Sequence, residues 1–320
     1  MDEKQMMEPQ ITETQMTEPQ TAEMQTAPAQ ANEPAKPGVG KRIGYFFLSL
    51  SPAAASLLAQ LGIGMVVMIL YAVIGSMQYQ AAHPGLSQAE FMQEYMRLVM
   101  EAAPLGVFMY HLISLPGFGL WYYFGCGKPK LKKSIHNLSV KAILIAILSG
   151  LVLCFLSNGI VGIECYVIPD QVEAYAQMAE AAGLGVTIWG NVAAVLLAPI
   201  GEELVCRGLS LYYAEKAFSR FWIANVLQAF LFACMHGNII QGSYAFVLGL
   251  MLGYLTKRYH SLIPAMLLHF VVNFSSTVFM DRVMALIPES LLSYIILTAL
   301  ATAVTLLLIL WSRRGGKKEA

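Results

Sequence analysis

The chain has 320 residues, of which 57% are hydrophobic and only 12% are charged. Soluble domains are about one-quarter charged, so this composition argues against a soluble domain and favours a protein embedded in a membrane. The 20 basic and 20 acidic residues balance in number, and no nucleic-acid partner is predicted. Their distribution along the chain is more informative than their sum.

Residues 1–40 differ in composition from the rest of the chain. The related segments QMMEPQ, QMTEPQ and QTAPAQ begin at positions 5, 15 and 25, and no aromatic residue occurs in this region. Such a segment cannot bury enough apolar surface to offset its conformational entropy, so we predict a disordered tether. It also lacks the basic start and apolar core of a signal peptide.

Eight apolar segments follow, each near the ~20 residues that a membrane-spanning helix needs. We therefore predict an all-α polytopic membrane protein, with about eight transmembrane helices in a membrane domain of residues 41–315. Pro199 is expected to bend the long fourth segment. The segments lie at about 52–77, 104–125, 139–163, 186–215, 221–237, 241–256, 261–280 and 291–311.

The basic residues alternate between the two ends of these segments. Lysine and arginine stay on the cytoplasmic side of membrane proteins, and here they precede the first segment and follow every even-numbered one. The loops after the odd-numbered segments are mainly acidic. An eight-span topology with both termini cytoplasmic satisfies every loop. The basic residues are Lys36, Lys41, Arg42, Lys128, Lys130, Lys132, Lys133, Lys216, Arg220, Lys257, Arg258, Arg313, Arg314, Lys317 and Lys318.

Six polar residues of the fourth, fifth and seventh segments are the candidates for function, because ionisable residues inside a membrane are functional candidates by default. A rise of 1.5 Å per residue puts Glu203 and His236 roughly 25 Å from the cytoplasmic face, and Asn273 roughly 20 Å from it. Three helices thus carry polar side chains to a similar depth, in the outer half of the membrane. The six residues are Glu202, Glu203, Arg207, His236, His269 and Asn273.

The spacing within each helix indicates which of these side chains share a face. Glu203 and Arg207 are four residues apart, so they can form an ion pair. Glu202 is rotated by about 100° from Glu203 and can face a different group. His269 and Asn273 are again four residues apart and lie on one face.

These side chains are sufficient for hydrolysis without a serine or cysteine nucleophile. A carboxylate and an imidazole can remove a proton from a shared water. A second imidazole and an amide can donate hydrogen bonds to a developing oxyanion. Cys206 and Cys234 are close in sequence, but no base is arranged to activate either thiol, and buried cysteines usually serve packing.

Three motifs stand in order along the chain: EELVCR at 202–207, FACMH at 232–236 and HFVVN at 269–273. They fit the patterns EExxxR, FxxxH and HxxxN, and they resemble the CAAX-protease and bacteriocin-processing family of intramembrane proteases. This family, also called CPBP or Abi, includes the type II CAAX prenyl endopeptidase. The resemblance covers about 187–280, the predicted catalytic core, whereas the first three segments match only in hydropathy and number.

The resemblance implies an intramembrane endopeptidase with defined roles for the motif residues. Glu202 and His236 would activate the attacking water, His269 and Asn273 would form the oxyanion hole, and the predicted ion pair would support the site. The substrate would be a membrane-associated peptide, a prenylated protein or a pro-peptide. The enzyme would bind it within the membrane lipid. A cofactor-free glutamate mechanism is favoured. Zinc held by His236, His269 and Glu202 is the alternative, although the usual HExxH spacing is missing.

Other interpretations stay open. A non-catalytic scaffold or bacteriocin-immunity factor of the same fold would keep these residues without using them. A transporter would couple a buried carboxylate to protons, but its two halves should share broken helices, and here the polar residues crowd into the later segments. The pairing of Glu203 with Arg207 also has a purely structural interpretation, because buried charges normally pair. His111 has no motif partner and is interpreted as a helix-contact residue.

Overall fold

Ten helices form the regular structure of residues 38–127 and 138–314, which are the residues that the computed structural model describes. No strand occurs in these two ranges, and the predicted all-α class is confirmed. The helices are α1 Val39–Ala82, α2 Gln88–Glu101, α3 Ala103–Tyr122, α4 Val140–Val167, α5 Pro169–Ala181, α6 188–217, α7 Phe221–Met235, α8 Ile239–Tyr259, α9 Ile263–Met284 and α10 Leu291–Arg313.

Six of these helices, α1, α3, α4, α8, α9 and α10, are long and apolar enough to cross a membrane. The chain is accordingly an integral membrane protein. The other two predicted segments correspond to α6, which contains π-helical turns, and to α7, which has 15 residues. At 1.5 Å per residue α7 is about 22 Å long, shorter than the ~30 Å hydrocarbon core of a bilayer. The count of eight spans and the cytoplasmic location of both termini stay predictions.

The first helix departs from its predicted bounds. It begins at Val39, two residues before the predicted membrane domain, and its 44 residues extend well beyond the predicted segment 52–77 at both ends. Residues 1–37 of the predicted disordered tail lie outside the described residues. After α1, Ser87 starts α2 with a capping box, in which its hydroxyl and the carboxylate of Glu90 each accept a backbone N–H from the other residue.

The helices that carry the three motifs each pack against a helix that carries none. Helix α4 packs against α9 and α10, α7 lies along α8, and α1 contacts α3 and α6. A Cβ added at Gly249 would lie 3.0 Å from Ala229, so glycine lets α7 and α8 meet closely. Gln228 and Asn225 then donate hydrogen bonds from α7 to the carbonyls of Gly249 and Leu250 on α8, at 2.9 and 3.0 Å. Such bonds fix one membrane helix on another.

The topology of α6 and α7 can be tested with reporter fusions at Gly183, Ser219 and Asn238. If both helices cross the membrane, a fusion at Ser219 reports the cytoplasm, whereas fusions at Gly183 and Asn238 report the outside. A fusion at Gly127 serves as the cytoplasmic reference. The eight-span topology is wrong if Gly183, Ser219 and Asn238 all report the same side.

Candidate active site

Irregular helical structure surrounds the two adjacent glutamates. Glu202 and Glu203 lie in the α-helical segment Ala198–Glu203 of α6, between the π-helical segments Ala193–Leu197 and Leu204–Ser210. Pro199, which has no N–H to donate, follows the first π-helical segment. Since π-bulges change the direction of the side chains that follow them and are frequent at functional sites, the local geometry singles out this stretch.

The side chain of Glu203 is fully buried and belongs to an ionic cluster. Its Oε1 accepts a hydrogen bond from Arg207 Nη1 at 2.9 Å, which is the ion pair that the sequence spacing predicts. The same oxygen lies 2.9 Å from Nδ1 of His269 on α9, a contact that was not predicted. Because an ionised carboxylate only accepts hydrogen bonds, Nδ1 of His269 is the donor and Nε2 is left for other partners.

Phe232 is the centre of the contacts between α6, α7 and α9. Phe232 is 1% exposed, and the guanidinium carbon of Arg207 lies 4.3 Å from its ring centroid, a cation–π contact. The ring also packs edge-on against the imidazoles of His236 and His269, with centroid distances of 4.8 and 5.7 Å. The phenylalanine of the FxxxH motif therefore positions the arginine and both histidines.

His236 is fixed at the end of α7. Its Nδ1 lies 2.8 Å from the carbonyl oxygen of Phe232 and donates to it, so Nε2 is the acceptor nitrogen of the neutral ring. Gly237 follows with a φ of 71°, a left-handed conformation that suits glycine and ends the helix. Asn238 then starts α8 by accepting a hydrogen bond from the backbone N–H of Gln241 at 2.7 Å.

Asn273 joins α9 to α6 through its side-chain amide. Its Nδ2 donates to the carbonyl oxygen of Ala194, in the first π-helical segment, at 2.8 Å. A carboxamide nitrogen has two hydrogens, so one N–H remains for a further acceptor. The amide of Asn273 thus has a backbone partner that the sequence did not indicate. Its second N–H is available to another hydrogen-bond acceptor.

All four predicted catalytic side chains line one cavity of about 310 Å³, namely those of Glu202, His236, His269 and Asn273. Oε2 of Glu202 and Nε2 of His269 are 3.7 Å apart, too far for a direct hydrogen bond and close enough to share a water. The Glu202 side chain is 19% exposed, whereas that of Glu203 is fully buried. One carboxylate therefore reaches the cavity and its neighbour holds the surrounding helices.

Sequence reasoning missed several residues of the cavity wall. His111 of α3 was interpreted from the sequence as a helix-contact residue. In the structure it also lines the cavity. Gln60 of α1 and the tyrosines Tyr175 and Tyr244 also line it. His111 and Gln60 were detectable as isolated polar residues in apolar segments, whereas the tyrosines gave no such signal.

The zinc alternative has suitable donor chemistry. In both His236 and His269 an oxygen engages Nδ1, which is how proteins orient a histidine whose Nε2 binds a metal. Across residues 38–127 and 138–314, however, no three His, Cys, Asp or Glu side chains are arranged to hold a metal ion.

The fold and the cavity together define a class: an all-α polytopic membrane protein that gathers titratable side chains from several helices at one cavity. Residues 184–275, somewhat under a third of the chain, match the family model described as Type II CAAX prenyl endopeptidase Rce1-like. The matched segment contains all three motifs and confirms the resemblance to the CAAX-protease family. No curated protein and no solved structure matches the chain.

Replacing Arg207 tests the ionic cluster. Arg207→Ala leaves the buried carboxylate of Glu203 without its arginine, and we expect a loss of about 3–5 kcal/mol in stability. Thermal unfolding of the detergent-solubilised protein measures this loss as a lower midpoint and a lower yield. Arg220→Ala removes an exposed arginine from the turn before α7 and should leave the midpoint unchanged. Equal midpoints for Arg207→Ala and the unmodified protein would show that the cluster is dispensable for stability.

Proposed function

We propose that this protein is an intramembrane endopeptidase that hydrolyses a peptide bond in a membrane-associated or prenylated peptide or a pro-peptide, with water activated by Glu202 and His236. The observation that supports this most strongly is the single cavity shared by the four motif side chains. The family match supports protease activity of the CAAX type.

In this mechanism the attacking water is bound beside the Glu202 carboxylate. Glu202 is the carboxylate that reaches the cavity, and Nε2 of His236 is held as an acceptor by the Phe232 carbonyl. Together they accept a proton as the water oxygen forms a bond to the peptide carbonyl carbon. A tetrahedral intermediate with a negative oxygen results.

Asn273 and His269 stabilise that oxygen in the proposed mechanism. Asn273 supplies the amide N–H that Ala194 leaves free. His269 can donate from Nε2 only when its ring carries both protons, and the adjacent Glu203 carboxylate is the counterion for that state. The intermediate then collapses: the C–N bond breaks, the oxygen returns to a carbonyl, and the proton taken from water passes to the leaving amine.

Glu202→Gln tests the proposed base. The substitution keeps the shape of the side chain and removes the proton acceptor, so turnover should fall by about 10²–10⁴-fold with an unchanged thermal midpoint. Cleavage of quenched-fluorescent peptides by the purified protein measures the effect. Glu180→Gln, which alters an exposed carboxylate on α5, should retain full activity. Cleavage that persists unchanged in Glu202→Gln would favour the scaffold or immunity interpretation.

The metal alternative makes a separate prediction. A metal-free mechanism predicts no stoichiometric zinc in the purified protein and full activity after treatment with a chelator. A zinc mechanism predicts activity that is lost on chelation and regained with zinc, and bound metal that is lost in both His236→Ala and His269→Ala. Elemental analysis and peptide cleavage of the same samples distinguish the two outcomes, and stoichiometric zinc with chelator-sensitive activity would overturn the metal-free mechanism.

A further inference from the structure

A second cavity, of about 380 Å³, adjoins the candidate active site. Asn273, Tyr175 and Tyr244 line both cavities. The hydroxyl groups of the two tyrosines are hydrogen-bonded at 2.9 Å, so this pair lies where the cavities meet. A peptide held at Asn273 can continue into the second cavity by displacing one tyrosine side chain.

The wall supplied by α9 runs away from the catalytic asparagine. Asn273, Thr277 and Asp281 follow one another at four-residue intervals, and all three line the second cavity. The eight-residue step from Asn273 to Asp281 includes the π-helical turn Ser276–Met280, so it spans at most about 12 Å along the helix axis. An extended peptide covers about 3.3–3.6 Å per residue, so Asp281 lies three or four peptide residues beyond the oxyanion position.

The second cavity offers hydrogen-bond acceptors as well as donors. Three of its polar side chains each donate a hydrogen bond to the backbone carbonyl oxygen four residues earlier in the same helix. Their own oxygen atoms keep lone pairs that can accept hydrogen bonds from a bound peptide. The amide N–H groups of Gln241, and the N–H that Asn158 and Asn273 each keep, can donate. The three bonds are those of Thr277 to Asn273 at 2.8 Å, Ser157 to Leu153 at 2.9 Å and Asn158 to Cys154 at 2.9 Å.

Asp281 adds a negative charge to this wall. Asp281 is exposed, and its carboxylate forms no ion pair with a basic residue in the part of the chain that the structure describes. Asp281 is the charged residue of the described lining, and the wall also offers acceptor oxygens, so a donor-rich cation complements the cavity better than a neutral or acidic group does.

We propose that the second cavity binds the side chain of a lysine or arginine located three or four residues from the scissile bond of the substrate. This inference rests on the proposed peptidase function and narrows its substrate class to peptides with a basic residue at that distance. Asp281 is the specificity residue, since it supplies the charge that selects the cation.

The test uses matched fluorescent peptides, blocked at both ends, that carry Lys, Gln or Glu three or four residues before or after the cleaved bond. We expect about a fivefold higher kcat/KM for the better Lys peptide over its Gln partner, as for a partly exposed ion pair. The ratio should fall in high salt. It should approach one in Asp281→Asn and reverse toward Glu peptides in Asp281→Lys. Glu289→Gln, which alters an exposed carboxylate outside the cavity lining, should keep the ratio of the unmodified protein.

Equilibrium binding of the same peptides separates this proposal from the proposed function. The Glu202→Gln protein should bind the better Lys peptide about five times more tightly than the Gln peptide, whether or not cleavage occurs. Binding selectivity without cleavage in the unmodified protein would overturn the peptidase function alone. Equal binding of Lys and Gln peptides, or selectivity that survives Asp281→Asn, would overturn the subsite.

Discussion

The buried carboxylate of Glu203 is the constraint on which the rest of the site depends. An ionised group without exposed surface is stable only where charges and donors of the protein replace water. Arg207 and His269 both lie 2.9 Å from one of its oxygens, and the Phe232 ring covers the arginine. These contacts join α6, α7 and α9. Once the three helices are fixed in this way, Glu202 is left facing the cavity.

The two adjacent glutamates therefore lie in different environments and contribute differently to the site. Glu203 is surrounded by protein, and its interactions contribute to helix packing and to the orientation of His269. Glu202, one residue earlier and about 100° around the helix, is partly exposed and has no arginine partner among the residues that the structure describes. The EExxxR motif thus combines a fully buried carboxylate with one that reaches the cavity, which is the division of roles that the proposed mechanism requires.

The sequence predicted those features of the structure that depend only on helical periodicity and on position along a helix axis. The all-α membrane fold, the ion pair of Glu203 and Arg207, and the convergence of three motif helices could all be predicted in this way. The contact between His269 and Glu203 could not, because residues 66 positions apart meet only when two helices have particular rotations about their axes. The π-helical turns of α6 and the use of Asn273 to bind Ala194 likewise depend on packing that no local pattern encodes.

The central claim is that Glu202 and His236 act on the same water, and a double-mutant cycle tests it most directly. The values of kcat/KM are measured for Glu202→Gln, His236→Ala and the combined variant, with thermal midpoints as a check on folding. If the two side chains share one proton transfer, removing the second after the first should cost little, and the double variant should be about as slow as the slower single variant. Losses that multiply in the double variant would contradict a shared water.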